Sequence, residues 1–240
     1  QWTLLDPVYK AYTKDLCGYA ERGEKEWKRL LGSFFAEGVN IAVVKNDEGQ
    51  IEGYAVYRLG APEIPVTEFV YTTRSAQRGL LNYFYNHRSQ GESIRWNEGL
   101  HDTGYRFVPD GKTGHTTMPY MMARIVDVET ALTAVPVNSE AVMMPITLNI
   151  KVTDTLCDWN NGVFALSLGE STLPNVKRVS AESVDEIDIT IDIGGLTVLL
   201  MGAVSAKDLV FEGKLQGESH WIDYLDMVYP KQNTYINEWW

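Results

Sequence analysis

Residues 187–201 read IDITIDIGGLTVLLM. Ile187, Ile189, Ile191 and Ile193 alternate with Asp188, Thr190 and Asp192. A period of two in β-branched residues predicts a strand with one buried and one wet face. Gly194 and Gly195 break the alternation, and Leu196, Leu199 and Leu200 continue at helical spacing. A strand running through a diglycine into a short apolar helix brings that helix back over its own sheet. The stretch builds a core, and any chemistry must come from elsewhere.

Around it the second half predicts further α+β structure. Residues 120–126 read as a strand entering a helix capped by Asp127, with Val128, Leu132 and Val135 buried and Pro136 stopping it. Residues 143–153 alternate as a long strand, with Ile146, Leu148, Ile150 and Val152 on one face. The turn at 158–162 (DWNNG) returns the chain into a partner strand at 163–168, and 177–180 adds a short one. Ser205 caps a helix to about Phe211, and 220–229 is a last helix ended by Pro230.

The first half has its own set of elements. Asp6-Pro7 predicts an N-cap followed by Pro at the first helical position, with Val8, Tyr9, Tyr12 and Leu16 near one face and Gly18 closing. A second helix over 24–35 carries Trp27, Leu30, Leu31 and Phe34 on one stripe. Residues 40–44 and 51–59 form a hairpin around the turn-favouring 45–49 (KNDEG). Pro62 and Pro65 interrupt the chain before a strand at 66–72, a helix at 76–87 capped by Ser75, and a short strand at 93–96. The Gly-rich loop at 99–114 is the candidate boundary between domains 1–114 and 115–240.

Composition narrows the function classes. A net charge of −11 argues against nucleic acid, which is bound through clustered Lys and Arg. Cys17 and Cys157 are too few for a disulfide framework or metal site, and a cytoplasmic home is the simplest reading. No apolar run reaches spanning length, which predicts no membrane partner. The sequence opens on Gln1 without an initiator Met, so a fragment of a longer protein is expected. His87, His101, His115 and His220 show no metal-ligand spacing, and Ser167 lacks the Gly-x-Ser-x-Gly elbow. Residues 74–80 (RSAQRGL) sit at a strand–helix junction, where helix amides could bind an acyl-CoA pyrophosphate. Leu80 and Leu81 stand where the backbone would have to approach, so no cofactor is expected on this chain.

The tail, KQNTYINEWW (231–240), ends on two Trp, which predicts burial of its last residues. Together with DPVYKAY (6–12), Arg22, Trp27, GYAVYR (53–58), MARIVDV (122–128) and 187–201, it resembles the Eis-like (enhanced intracellular survival) GNAT N-acetyltransferases over nearly the whole chain. The resemblance implies an α+β chain. It would comprise a degenerate second GNAT-like domain, incomplete at its start, and a sterol-carrier-protein-like domain. The acetyl-CoA domain of a bacterial enzyme would be missing, so the fragment alone is expected to be inactive. The resemblance further implies an amine substrate (aminoglycoside-, polyamine- or lysine-like) and a homo-oligomer, trimer or hexamer. By the same resemblance the carboxylate of Trp240 is a general base, and Trp239 and Glu238 contact substrate. Two other classes stay open: a carrier of an apolar ligand, and a non-catalytic oligomerisation module.

Overall fold

The protein, seen here as a computed structural model, is described over residues 2–36, 38–107, 113–118, 121–169 and 171–238, side chains excepted at 34–36, 105 and 107. Of the residues singled out above, Tyr120, Trp239, Trp240 and the Phe34 side chain lie outside this description. The chain divides into two compact units, Gln1–Thr117 with Thr234–Trp240, and Met118–Asn233. By its contacts the tail from Thr234 groups with the first unit.

The first unit runs α1 (Trp2–Thr13), α2 (Glu24–Ala36), β1 (Asn40–Lys45), β2 (Ile51–Tyr57), β3 (Glu63–Tyr71), α3 (Arg74–Asn86) and β4 (Ser93–Trp96). Its sheet has the order β1-β2-β3-β4, antiparallel except for the parallel pairing of β3 and β4. Residues 53–57 of β2 are all buried. Leu5, Val8 and Tyr9 of α1 and Trp27 of α2 pack with Tyr54, Val56 and Val70 on one face. Leu80 and Phe84 of α3 pack with Ala55, Tyr57 and Phe69 on the other. A strand covered on both faces loses its polar alternation.

Three local expectations fail here, each for a stated reason. Helix α1 begins at Trp2, so Asp6 is no cap and Pro7 lies inside the helix. Asp6 is buried there, accepting from Trp27 Nε1 at 2.8 Å and pairing with Lys10 at 2.8 Å. The cap of α3 is Thr73 and not Ser75; its Oγ1 accepts from the Ala76 amide at 3.1 Å. Strand β3 starts at Glu63 and runs through Pro65, where β2 is just ending and the Pro65 carbonyl still accepts from Arg58 N at 3.1 Å. An edge of the ladder tolerates a missing donor.

The second unit runs α4 (Val128–Ala134), β5 (Ile146–Thr153), β6 (Gly162–Leu168), β7 (Asn175–Val179), β8 (Ile189–Asp192), α5 (Ile193–Leu200), α6 (Ala206–Phe211), β9 (Leu215–Gly217) and α7 (Ser219–Val228). The sheet order is β7-β6-β5-β8-β9, with β8 parallel to β5. The organising stretch folds as strand then helix. Gly194 and Gly195 end the alternation as expected and lie in the first turn of α5, which Asp192 Oδ1 caps by accepting from Gly195 N at 2.6 Å. A Cβ on Gly195 would stand 3.2 Å from Ile191 Cγ1 and 3.3 Å from Lys214 Cβ, so the glycine lets helix and sheet close. Residues 121–126 form no strand, and Met143 and Met144 precede β5 as exposed chain. Strand β9 is too short to show in the sequence pattern. The molecule is α+β throughout, and among the described residues no helix is long and apolar enough to cross a membrane.

Candidate functional site

The tail is threaded into the first unit by its backbone before any side chain acts. Thr234 bridges in parallel to Cys17, and Tyr235 N donates to the Cys17 carbonyl at 2.9 Å. The Asn237 amide group donates to the Thr67 carbonyl at 2.6 Å. Tyr235, Asn237 and Glu238 are buried. The Tyr235 ring meets Tyr12 edge-on at 5.4 Å, and Tyr12 in turn meets Tyr71 at 5.8 Å.

Glu238 ends in a buried ionic network. Its Oε1 takes Arg22 Nε at 2.7 Å and Nη2 at 2.6 Å, while Glu68 Oε1 takes Nη2 at 2.5 Å. Glu68 Oε2 accepts from the Tyr54 hydroxyl at 2.7 Å. The Arg22 guanidinium lies 4.0 Å from the Tyr9 ring centroid and 4.8 Å from that of Trp27. Among the described residues its Nη1 has no hydrogen-bond partner, and the rings of Tyr9 and Trp27 lie beside the guanidinium. Burial alone would lower the Arg22 pKa; Glu68, by charge and hydrogen bond, more than offsets this and keeps the group cationic. Burial pushes the Tyr54 and Tyr235 hydroxyls well above the ordinary phenol value. One cation therefore faces two carboxylates in a site closed to water.

A second polar group adjoins the tail. Gly99 lies against Tyr235, since a Cβ there would be 3.4 Å from the Tyr235 ring. On either side of it stand Glu98 and Asp102. Asp102 accepts from the Tyr71 hydroxyl and from Gly104 N at 2.7 Å, and Gln77 Nε2 donates to the same hydroxyl at 2.9 Å. Glu98 accepts from Trp96 Nε1 at 3.0 Å and lies 3.5 Å from His115 Nε2. Burial, then the Asp102 charge, raise the Glu98 pKa, and burial lowers that of His101. A largely buried acidic pair beside Tyr71, Tyr12 and Trp96 suits an ammonium group better than an anion.

Of the three site residues expected from sequence, Glu238 is thus seated on Arg22, while Trp239 and Trp240 lie outside the described residues. Sequence reasoning missed Glu68, Tyr54, Glu98 and Asp102. Glu68 carried a signal: it sits two residues from Val70 on the buried face of β3, where a charge demands a partner. Among the described residues no cluster of three potential metal ligands occurs.

The start of α3 carries a cap and a neighbouring carboxylate. Thr73 Oγ1 occupies the Ala76 amide and donates to Glu52 Oε2 at 2.8 Å, which sets a carboxylate beside the helix N-terminus. Gly79 faces the sheet, where a Cβ would be 3.1 Å from Val44 Cγ1, so its missing side chain serves packing and not ligand approach. In the second unit a half-open cavity of about 260 Å³ is lined by Val135, Val137, Leu199, Leu200, Val228 and Tyr229, among others. That is below the roughly 300–1,000 Å³ of ordinary ligand pockets.

Residues 18–125 match the acetyltransferase (GNAT) domain family, and 128–237 match the sterol carrier protein domain family. Three solved structures are similar. A conserved protein of unknown function from Enterococcus faecalis, described as a probable N-acyltransferase, superposes with TM-score 0.84 at 24% identity. The alignment covers 100% of this chain and 60% of that one. A GCN5-related N-acetyltransferase from Anabaena variabilis gives 0.80 at 19% identity, over 99% and 60%. Eis1 from Mycobacterium abscessus gives 0.66 at 20%, over 97% and 59%. At these identities the likeness shows the fold, and the chain spans about 60% of the length of these structures. No curated protein sequence matches. In two successive stretches the chain is thus similar to the acetyltransferase (GNAT) domain family and to the sterol carrier protein domain family.

Proposed function

We propose that this chain is the substrate-side portion of an Eis-like, acetyl-CoA-dependent N-acetyltransferase that acts on amines of the aminoglycoside, polyamine or lysine kind. The observation that carries the reading is the course of the tail. It returns to the GNAT-like unit, is pinned by Glu238 on Arg22, and runs beside the acidic pair Glu98 and Asp102. In this reading the α-carboxylate of Trp240 is the general base that takes the amine proton. An α-carboxyl group titrates at about 3.3–3.7 in water. Burial beside indole rings would raise it toward a useful base. Glu98 and Asp102 draw the substrate cation in. The Thr73 cap and the Glu52 carboxylate at the start of α3 support assigning the acyl donor to a domain outside this chain, and a trimer or hexamer is carried over from the resemblance.

Appending three residues after Trp240, or removing Trp239 and Trp240, should abolish acetylation by the whole protein while leaving it folded. An extended protein that kept normal turnover would take the carboxylate out of the mechanism. Micromolar binding of acetyl-CoA to this chain in calorimetry would overturn the assignment of the donor. A lesser reading, an apolar-ligand carrier, is supported by the similarity of 128–237 to the sterol carrier protein domain family, and saturable binding of a fluorescent fatty acid to the second unit would favour it.

A further inference from the structure

Burying one guanidinium with two carboxylates is a poor way to gain stability, because desolvation offsets most of the attraction. Well-packed apolar side chains would hold the tail at least as well. A charged arrangement gives something an apolar one does not, which is register. If the tail slipped by one residue, Glu238 would be buried without its cation, a cost that no other alignment repays. The partners are also rigidly placed. Glu68 is fixed on β3 by the Tyr54 hydroxyl, and Arg22 is clamped between that carboxylate and the rings of Tyr9 and Trp27. The loop carrying Arg22 also supplies Cys17, whose carbonyl holds Tyr235.

We infer that Arg22 is a positioning residue for the proposed reaction: through Glu238 it sets the register of the tail segment 234–238 that leads to the chain's last residues. The inference rests on the reading of the Trp240 carboxylate as the base. Glu68 and Tyr54 serve the same end by fixing Arg22. Glu238 thereby acts through its neighbour in the chain and does not itself need to touch substrate.

The test uses the whole enzyme with Glu238→Gln and Arg22→Lys. The first removes one of two negative charges from a site holding one cation, so the Arg22–Glu68 pair remains balanced and the fold stands. The second keeps the charge but loses the fork that holds both carboxylates. Each variant should lower kcat at least tenfold with KM for the amine within threefold, and the double variant should lose no more than either single. Hydrogen exchange at 235–238 should quicken tenfold or more while β2 and β3 keep wild-type protection. Wild-type kcat in Glu238→Gln, or tail exchange unchanged in it, would overturn the inference, even if Arg22→Lys fails to fold. The protein extended beyond Trp240 is run alongside. If it keeps full turnover the base reading fails by itself, and the exchange data then decide whether Arg22 orders the tail.

Discussion

Among the described residues each unit has a buried carboxylate bonded to an arginine, and the two networks are built differently. In the second unit Asp154 accepts from the Leu156 and Cys157 amides at 2.9 and 3.1 Å and from Asn160 Nδ2 at 2.9 Å, with Arg124 closing the ring from a partly exposed position. Apart from Arg124, these partners lie within six residues, so the network is a knot in the β5–β6 connection. In the first unit Arg22 joins Glu68, 46 residues away, to Glu238, 216 residues away, and its side chain is 2% exposed. A local knot stabilises a turn and would survive on its own. The long-range network cannot form until the tail has returned, and its cost in desolvation is met only in the finished fold. The contrast separates a charge that shapes a loop from charges that place a segment.

The sharpest way to break the contrast is Arg22→Met. Removing one partner strands two buried carboxylates, so the urea unfolding free energy of the first unit should fall by about 3–5 kcal/mol. A loss under about 1 kcal/mol would mean that water reaches the network, making it no different from a surface pair. Next comes an apolar benchmark in the second unit. Leu196, 1% exposed, truncated to Ala should cost about 2–5 kcal/mol in the same assay.

A third measurement tests the local knot through pH. Burial alone would raise the Asp154 carboxyl, but the hydrogen bonds from Asn160, the two amides and Arg124 outweigh it and hold it below the usual carboxylate range. The unfolded group titrates near 3.9. Its stabilisation is therefore complete above that value and is lost as pH falls toward the folded pKa. Asp154→Asn should lower the melting temperature at pH 7 by more than at pH 3, and equal losses at both would break the assignment. The smallest effect is expected at Ser205, whose Oγ accepts from Asp208 N at 3.0 Å in a capping box. Ser205→Ala should cost about 1 kcal/mol by thermal melting followed by circular dichroism, and no measurable change would show that α6 is held by packing alone.

Local structure was legible where its cause was local. The alternation at 187–193, the caps Asp127 and Ser205, the turn at 158–162 and the hairpin turn at 45–49 all lie within a few residues of what they organise. The reading failed where a distant partner overrode the local signal. Asp6-Pro7 looks like a helix start, yet Asp6 is held inside α1 by Trp27 and Lys10. Ser75 and Thr73 are both plausible caps, and Glu52 on the neighbouring strand holds the hydroxyl of Thr73. At the site, a tail with buried aromatics could be expected, but its destination could not.

By itself the sequence determined the α+β class, the strand-to-helix core of the second unit and the acidic balance, because side-chain periodicity and charge are properties of neighbouring residues. Only the tertiary structure decided that the tail belongs with the first unit, and that Arg22, Glu68, Tyr54 and Glu238 form one network. Buried charges must be matched, but which cation meets which carboxylate depends on how strands and loops far apart in the chain are brought together, and no spacing in the sequence records it.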